Sequence, residues 1–380
     1  MSRGVLVLVA TSVLAAVLGS VHAFSVFLAP LEAVFDASRA LVSLTYSLAL
    51  VALTVAVLLG HRFYARWRPG AFVALISLIA AMGALVAAFA PSLSIVWIGY
   101  GILFGGANGL GYGFGLQIAA QANRGREGLA MGIVTAAYAA GAAISPPLYA
   151  SALSWGGYQP AMIGLSVALI IMGGVSAVIL SASGVRYQAQ PSQTSASGPN
   201  TSALVLLWLG YGSGVAGGLM VIGHAAGIVS AVGAIGANWV APAIIAICNL
   251  AGSLIAGRLI DRLPPTRLLV GLPLISAASL FLITSTAKTS MIMVGLGVVG
   301  FAYGGVIAAY PAAISKLFGL LSGPRVYGLV FTAWGTAGLA APWFAGFLYD
   351  LSGTYGMALT TAAALSAASS LTIALFFLRS

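Results

Sequence analysis

Long apolar stretches alternate with short polar gaps along the whole chain. A helix needs about 20 apolar residues to cross a hydrocarbon core of about 30 Å, and only a helix or a closed barrel satisfies its backbone polar groups there. The stretches have this length, so we predict an all-α membrane protein with twelve transmembrane helices. The predicted spans are 5–29, 41–60, 70–90, 95–120, 128–152, 159–183, 202–231, 238–257, 266–286, 290–315, 325–349 and 355–378.

One polar segment, residues 185–201, divides the spans into six and six. It is rich in Gln, Ser, Thr and Pro, a composition typical of a flexible linker. We therefore predict an N-terminal six-helix bundle at 1–184, a cytoplasmic linker at 185–201 and a C-terminal six-helix bundle at 202–380. The halves echo each other, since His22 in span 1 and His224 in span 7 lie at matching places. Two parallel six-helix halves are one of the repeat plans of secondary transporters.

Composition supports the membrane prediction, because 61% of the residues are hydrophobic and only 5% are charged. A net charge of +10 would suggest a nucleic-acid partner in a soluble protein. Here the basic residues collect in the loops that become cytoplasmic if the N-terminus is inside, and only Arg39 and Lys288 fall on the other side. This bias predicts two cytoplasmic termini in a bacterial inner membrane, with no nucleic-acid role. The first apolar run is too long for a signal peptide, so we expect it to be retained.

Four stretches carry a family resemblance, and they are GRLIDR (257–262), REGLAMGIVTAAYAAGAAISPPL (126–148), GLMVIGH (218–224) and YGLVFTAWGTAGLAAPWFAGFLYDLSGTY (327–355). They resemble the major facilitator superfamily, in particular its oxalate/formate antiporter and monocarboxylate transporter branch. The resemblance covers essentially the whole chain and implies two pseudo-symmetric six-helix bundles, the major facilitator fold, that work by alternating access. It also implies that Arg258, Asp261 and Arg262 form a gating latch between helix ends. The alternative is that these arginines only set topology.

The chain departs from that branch where the substrate binds. Members that carry oxalate hold its carboxylates with a Lys in span 11 and an Arg in span 8. The matching positions here are Trp334 and Ser253. Because both cationic anchors are absent, the resemblance does not identify the substrate.

The predicted membrane interior offers few ionisable groups. All five carboxylates, Glu32, Asp36, Glu127, Asp261 and Asp350, fall at loops or helix ends, which disfavours a cationic substrate. His22 and His224 remain, and an imidazole with an unperturbed pKa of about 6.5 is neutral or cationic near physiological pH. We predict that both bind substrate, with Asn108, Tyr138, Asn249 and Trp334 as walls of the site. The alternative is that the imidazoles and amides only join helices within the bundle.

These features favour a secondary active transporter of a small organic anion, most simply a monocarboxylate, moved with a proton or exchanged for another anion. We expect a monomer in the lipid bilayer with no cofactor and no metal. No P-loop, GxSxG or HExxH motif occurs, so we predict no enzyme activity. Alternatives are transport of a neutral solute, transport of a metal ion such as copper by the Met220 and His224 pair, or a membrane sensor without transport.

Overall fold

The computed structural model describes residues 2–124, 126–188, 201–233, 236 and 238–379, without the side chains of 61, 127, 128, 261, 315, 319–325 and 379. Every regular element in these ranges is helical. Eleven of the helices are long and apolar enough to cross a membrane. The prediction of an all-α multi-pass membrane protein is confirmed.

Six helices precede the predicted linker. The first, α1 (Arg3–Phe35), is an α-helix over Arg3–Leu18, a 3-10 helix over Gly19–Phe27 and an α-helix over Leu28–Phe35. Another, α4 (Leu93–Ala122), contains a π-helix at Trp97–Phe104. The other four are α2 (Arg39–Tyr64), α3 (Pro69–Ala88), α5 (Glu127–Gly156) and α6 (Tyr158–Ser183).

Five further helices follow. They are α7 (Thr201–Ser230), α8 (Val240–Arg262), α9 (Pro265–Thr284), α10 (Thr289–Ser352) and α11 (Gly356–Arg379). Local sequence explains several of their ends. Proline occupies the first turn of α3 and α9, where its missing N–H costs nothing. Gly184 and Gly353 end α6 and α10 in the left-handed conformation that glycine adopts without steric penalty.

Predicted spans 10 and 11 both lie in the single element α10. This element is not one straight rod. Trp334 Nε1 donates a hydrogen bond of 2.9 Å to the Tyr303 hydroxyl, 31 residues away within α10. Such residues would lie about 46 Å apart on a straight helix at 1.5 Å per residue. α10 therefore folds back into two arms, 289–318 and 326–352.

The chain divides into two compact units. The first contains Met1–Ala37 and Leu44–Pro191, and the second contains Ser38–Ser43 and Ser192–Ser380. The helix α2 is thus shared, since its first residues belong to the second unit and the rest to the first. The predicted boundaries at 184 and 202 stay a prediction.

Side-chain exposure agrees with a lipid surrounding. Large apolar side chains are exposed along the helices, including Leu78 of α3, Val178 of α6 and Leu282 of α9. Water would make such a surface costly, whereas lipid chains cover it without loss. Within each unit the cores are filled by small residues and aromatic rings, with Phe24, Phe104 and Tyr211 at most 1% exposed. Small residues permit the close helix packing that membrane bundles use.

Candidate substrate site

The first unit contains a polar cluster centred on His22. His22 lies in the 3-10 segment of α1, and the other eight of that segment's nine residues are buried. His22 itself is partly exposed. Its Nδ1 lies 2.7 Å from the hydroxyl of Tyr46 in α2. Its Nε2 has no hydrogen-bond partner among the described residues, so one ring nitrogen is held and the other is available.

Aromatic rings surround His22 on two sides. Tyr46 and Tyr138 both meet the imidazole edge-on, with ring centroids 6.1 Å and 5.7 Å away. Phe24 stacks on Tyr46 at 5.8 Å. Tyr112 packs against Tyr138 at 4.6 Å between centroids. The imidazole is therefore held in an apolar pocket whose polar atoms are tyrosine hydroxyls.

Asn108 supports this cluster from α4 and is completely buried. Its Nδ2 donates to the carbonyl of Leu18 at 2.7 Å, and its Oδ1 accepts from the Tyr138 hydroxyl at 3.1 Å. The carbonyl of Leu18 lies at the change from α-helix to 3-10 helix, where it accepts from the N–H three residues on. Asn108 gives this carbonyl a second donor. It positions Tyr138 rather than presenting a free amide.

Two glycines allow α1 and α5 to approach closely enough for these contacts. A Cβ atom at Gly19 would overlap the carbonyl of Tyr138, and one at Gly141 would overlap the carbonyl of Ala16. Only hydrogen fits at both positions, so the two backbones touch. This contact brings Tyr138 beside His22.

His224 has a different environment in the second unit. It is fully buried in the continuous helix α7. Its Nε2 lies 2.8 Å from the carbonyl of Pro342, and its Nδ1 lies 3.3 Å from the hydroxyl of Tyr355. A carbonyl only accepts, so Nε2 carries the proton. Ser43 Oγ also lies 3.2 Å from Nε2. Both nitrogens are therefore engaged, which leaves no free lone pair for the Met220 and His224 metal pair.

The other two predicted wall residues also lie in the second unit. Trp334 is bonded to Tyr303 and stacks on Phe331 with centroids 5.6 Å apart. Asn249 is partly exposed, and its Oδ1 accepts a 3.4 Å hydrogen bond from Ser253. Its amide nitrogen has no partner among the described residues.

The structure brings some predicted residues together and leaves others apart. His22, Tyr138 and Asn108 form one connected cluster. Across the described side chains, no hydrogen bond or ring contact joins His224 to Trp334 or Asn249. Sequence reasoning missed Tyr46 and Tyr112, because a tyrosine in an apolar span carries no sign of its partner.

The predicted latch is only partly visible. The side chains of Arg258 and Arg262 are exposed and have no hydrogen-bond partner within the described part of the chain. The side chain of Asp261 lies outside the described residues. Lys316 of α10 instead donates to the carbonyl of Ile260 in the last turn of α8. A cation there satisfies a terminal carbonyl and complements the helix dipole. Over the described residues, no group of three or more His, Cys, Asp and Glu side chains suits a metal ion.

No protein-family model matches the chain. The chain is 24% identical over 344 residues to the "Uncharacterized MFS-type transporter YhjX" of Escherichia coli (strain K12), covering 87% of this chain and 84% of that protein. It is 26% identical over 297 residues to the "Uncharacterized 38 kDa protein in 23S RNA operon" of Thermoproteus tenax, covering 78% and 75%.

Solved structures resemble the chain over almost its whole length. The xylose transporter XylE from E. coli, in a partially occluded inward-open conformation, matches with a TM-score of 0.73 at 14% identity, covering 97% of this chain and 98% of that one. A bacterial homologue of the human lysosomal transporter Spinster matches with a TM-score of 0.71 at 14% identity, covering 98% and 95%. The fold is therefore that of the major facilitator superfamily. Fold and relatives together support a membrane transporter of this type rather than an enzyme, whereas the oxalate/formate and monocarboxylate branch stays a prediction.

Proposed function

We propose that this protein is a secondary active transporter that moves a small organic anion, most simply a monocarboxylate, together with a proton, and that His22 is the centre of its site. One observation carries the proposal. His22 is the one partly exposed residue of an otherwise buried 3-10 segment, and its Nε2 has no hydrogen-bond partner among the described residues. A polar atom in that position is expensive within a membrane protein unless a ligand or water meets it.

The chemistry of an imidazole suits an anion that travels with a proton. An anion leaving water for a low-dielectric site needs a compensating charge. A protonated His22 supplies that charge and donates from Nε2 to a carboxylate oxygen, while Nδ1 donates to the Tyr46 oxygen. Deprotonation removes the charge and weakens the hold on the anion. Binding and release are thereby linked to proton movement without any lysine or arginine at the site.

The surrounding side chains fit a small ligand. Tyr46 holds the imidazole, and Tyr138 meets its edge with a hydroxyl that already donates to Asn108. In the second unit, the Asn249 amide nitrogen has no partner in the described residues and Trp334 donates to Tyr303. The roles predicted for Asn249 and Trp334 stay predictions. We assign His224 a lesser role, because both of its nitrogens are already engaged.

A neutral solute is the second candidate. The described polar groups around His22 are hydroxyls and an amide, which also suit sugar hydroxyls. One solved structure of this fold is that of a D-xylose-proton symporter. In that case His22 would carry the proton without pairing with a charge on the substrate. The two candidates differ in whether the solute itself is ionised.

Uptake by purified protein in liposomes tests the proposal. Labelled formate, lactate, pyruvate, oxalate and xylose are compared with and without an inward proton gradient. We expect uptake of a monocarboxylate that the gradient accelerates, and at least a tenfold loss in His22→Ala. The matched control is Tyr100→Phe, which removes a buried hydroxyl without a partner among the described residues. Wild-type uptake that survives in His22→Ala contradicts the site, and gradient-driven uptake of xylose alone favours the neutral solute.

We also propose that both termini are cytoplasmic and that Arg258, Asp261 and Arg262 form a latch at that side. The bias of basic residues toward alternate loops supports the orientation. The resemblance of GRLIDR (257–262) to the superfamily's loop supports the latch. Cysteines at Ser2 and Lys288, in a Cys248→Ser background, are labelled in intact and in permeabilised cells with a reagent that does not cross membranes. We expect Lys288→Cys to react in intact cells and Ser2→Cys only after permeabilisation. The reverse result contradicts the orientation.

A further inference from the structure

The Asp350 carboxylate contacts the beginning of a helix far away in the sequence, α2. Asp350 lies in the last turns of α10, and its Oδ1 and Oδ2 accept hydrogen bonds from the backbone N–H groups of Arg39 (3.0 Å) and Ala40 (2.8 Å). These residues begin α2, where the first N–H groups have no partner inside the helix. A carboxylate 311 residues away therefore caps this helix together with the local Ser38 hydroxyl, which accepts from Leu41.

The position of Asp350 in its own helix disfavours a negative charge. A carboxylate near a helix C-terminus faces the negative end of the dipole, whereas the N-terminus of another helix attracts it. The favourable contact with α2 thus offsets an unfavourable one with α10. The position of the Asp350 carboxylate is explained by its hydrogen bonds to the start of α2 and not by its own helix, α10.

Arg39 extends this contact toward the interior. Its guanidinium lies 4.1 Å from the ring centroid of Tyr349, and its Nη1 donates to the hydroxyl of Tyr355 at 2.7 Å. Tyr355 in turn lies 3.3 Å from His224 Nδ1, and His224 Nε2 donates to the carbonyl of Pro342. Because Nε2 carries the proton, donation runs in one direction, from Arg39 through Tyr355 and His224 to the backbone of α10.

The beginning of α2 is held tightly in the second unit. Ser43 is buried, donates to the carbonyl of Arg39 at 2.7 Å and lies beside His224. A Cβ atom at Gly346 would meet the backbone of Ala40. Ser38–Ser43 belong to the second unit and Leu44 onward to the first. These contacts therefore lie where α2 passes from the second unit to the first.

We propose that Asp350, Arg39, Tyr355 and His224 form a clasp that holds the first turn of α2 and opens during the transport cycle. The proposal rests on the proposed function, since opening is assigned to transport. It also gives His224 a positioning role, in which the imidazole fixes Tyr355 and does not touch the substrate. The charged and titratable groups that face His224 are Arg39, Asp350 and Tyr355, and all three belong to the clasp.

Amide hydrogen exchange in lipid nanodiscs tests the clasp without any substrate. The first-turn N–H groups of Arg39 and Ala40 bond to Asp350, so their protection reports the clasp directly. We expect exchange in the wild type that is faster than at Leu50 in the middle of α2, and at least tenfold faster exchange at Arg39 and Ala40 in Asp350→Ala. The matched control is Asp36→Asn, because Asp36 has no side-chain hydrogen bond among the described residues. It should leave the exchange of Arg39 and Ala40 unchanged.

Two results overturn the clasp itself. The first is that Arg39 and Ala40 exchange at the same rate in Asp350→Ala as in the wild type. The second is that Arg39 and Ala40 in the wild type are protected as strongly as Leu50, which would mean that the clasp opens only when the whole protein unfolds. Liposome uptake then tests the assignment to transport. We expect at least a threefold change in uptake rate in Asp350→Ala and none in Asp36→Asn. If Asp350→Ala alters exchange but not uptake, the clasp has no gating role. If the wild type transports none of the tested solutes, the proposed function is contradicted, but the exchange result still stands.

Discussion

His22 and His224 occupy matching places in the two halves of the sequence, yet their surroundings differ. His22 lies in a 3-10 segment, is partly exposed and is held at one nitrogen. His224 lies in a continuous α-helix, is fully buried and is engaged at both nitrogens. The repeat therefore preserves the residue and changes its hydrogen bonding. A polar side chain that can still form a hydrogen bond is a candidate for ligand binding. One whose hydrogen bonds are all made within the protein is a candidate for a structural role.

Backbone geometry underlies this difference. In α1 the helix changes to 3-10 geometry after Leu18, and the Leu18 carbonyl also accepts from Asn108. The same amide positions Tyr138 against His22. In α7 no such switch occurs, and the imidazole instead bonds to the carbonyl of Pro342 in a neighbouring segment. Short 3-10 stretches inside long helices often mark functional segments, which agrees with the assignment of the site to His22.

The largest expected effect is the loss of stability in His224→Ala. This change removes the donor to the Pro342 carbonyl and leaves a cavity in a buried position, and together these cost about 3 kcal/mol. His22→Ala loses one hydrogen bond at a partly exposed position and should cost about 1 kcal/mol. Unfolding equilibria in mixed lipid–detergent micelles measure both. Equal losses would mean that the two histidines have the same structural role.

Asn108→Ala comes next, with an expected loss of about 2 kcal/mol. The change removes two buried hydrogen bonds, from Asn108 Nδ2 to the Leu18 carbonyl and from the Tyr138 hydroxyl to Asn108 Oδ1. Uptake should fall as well, because Tyr138 loses its anchor beside His22. Tyr138→Phe removes only the bond to Asn108 Oδ1 and keeps the donor to Leu18, so it separates the two bonds. A variant without Asn108 that is as stable as the wild type would show that the amide has no supporting role.

The sequence predicted the helices better than it predicted which residues of different helices contact one another. Hydropathy alone predicts the spanning segments, because lipid demands long apolar helices whatever they pack against. The single element α10 escaped it, since nothing in the apolar pattern shows that spans 290–315 and 325–349 lie in one helical run. The 3-10 segment also escaped it, because nothing in the apolar pattern marks it. Asp350 was predicted to lie at a helix end, but its partner is 311 residues away.

Tyr355→Phe should have a smaller effect, about 1 kcal/mol in stability. It removes the hydroxyl between Arg39 and His224 but keeps the ring. Tyr349→Phe is the matched control, because its ring still lies under Arg39 and its hydroxyl has no hydrogen-bond partner among the described residues. Unfolding in mixed micelles and exchange at Arg39 are measured for both. Identical values for the two variants would remove Tyr355 from the link between Arg39 and His224.

The smallest expected effect separates two tyrosines on either side of Phe24. Tyr100→Phe removes a buried hydroxyl without a hydrogen-bond partner among the described residues, so stability should stay within about 0.5 kcal/mol of the wild type or rise. Tyr46→Phe removes the partner of His22 Nδ1, so we expect a change in the pH dependence of uptake with little loss of stability. Uptake at a series of pH values compares the two variants. A shifted pH profile in Tyr46→Phe and an unshifted one in Tyr100→Phe tie proton coupling to the bond at His22, whereas equal shifts assign it to general packing around Phe24.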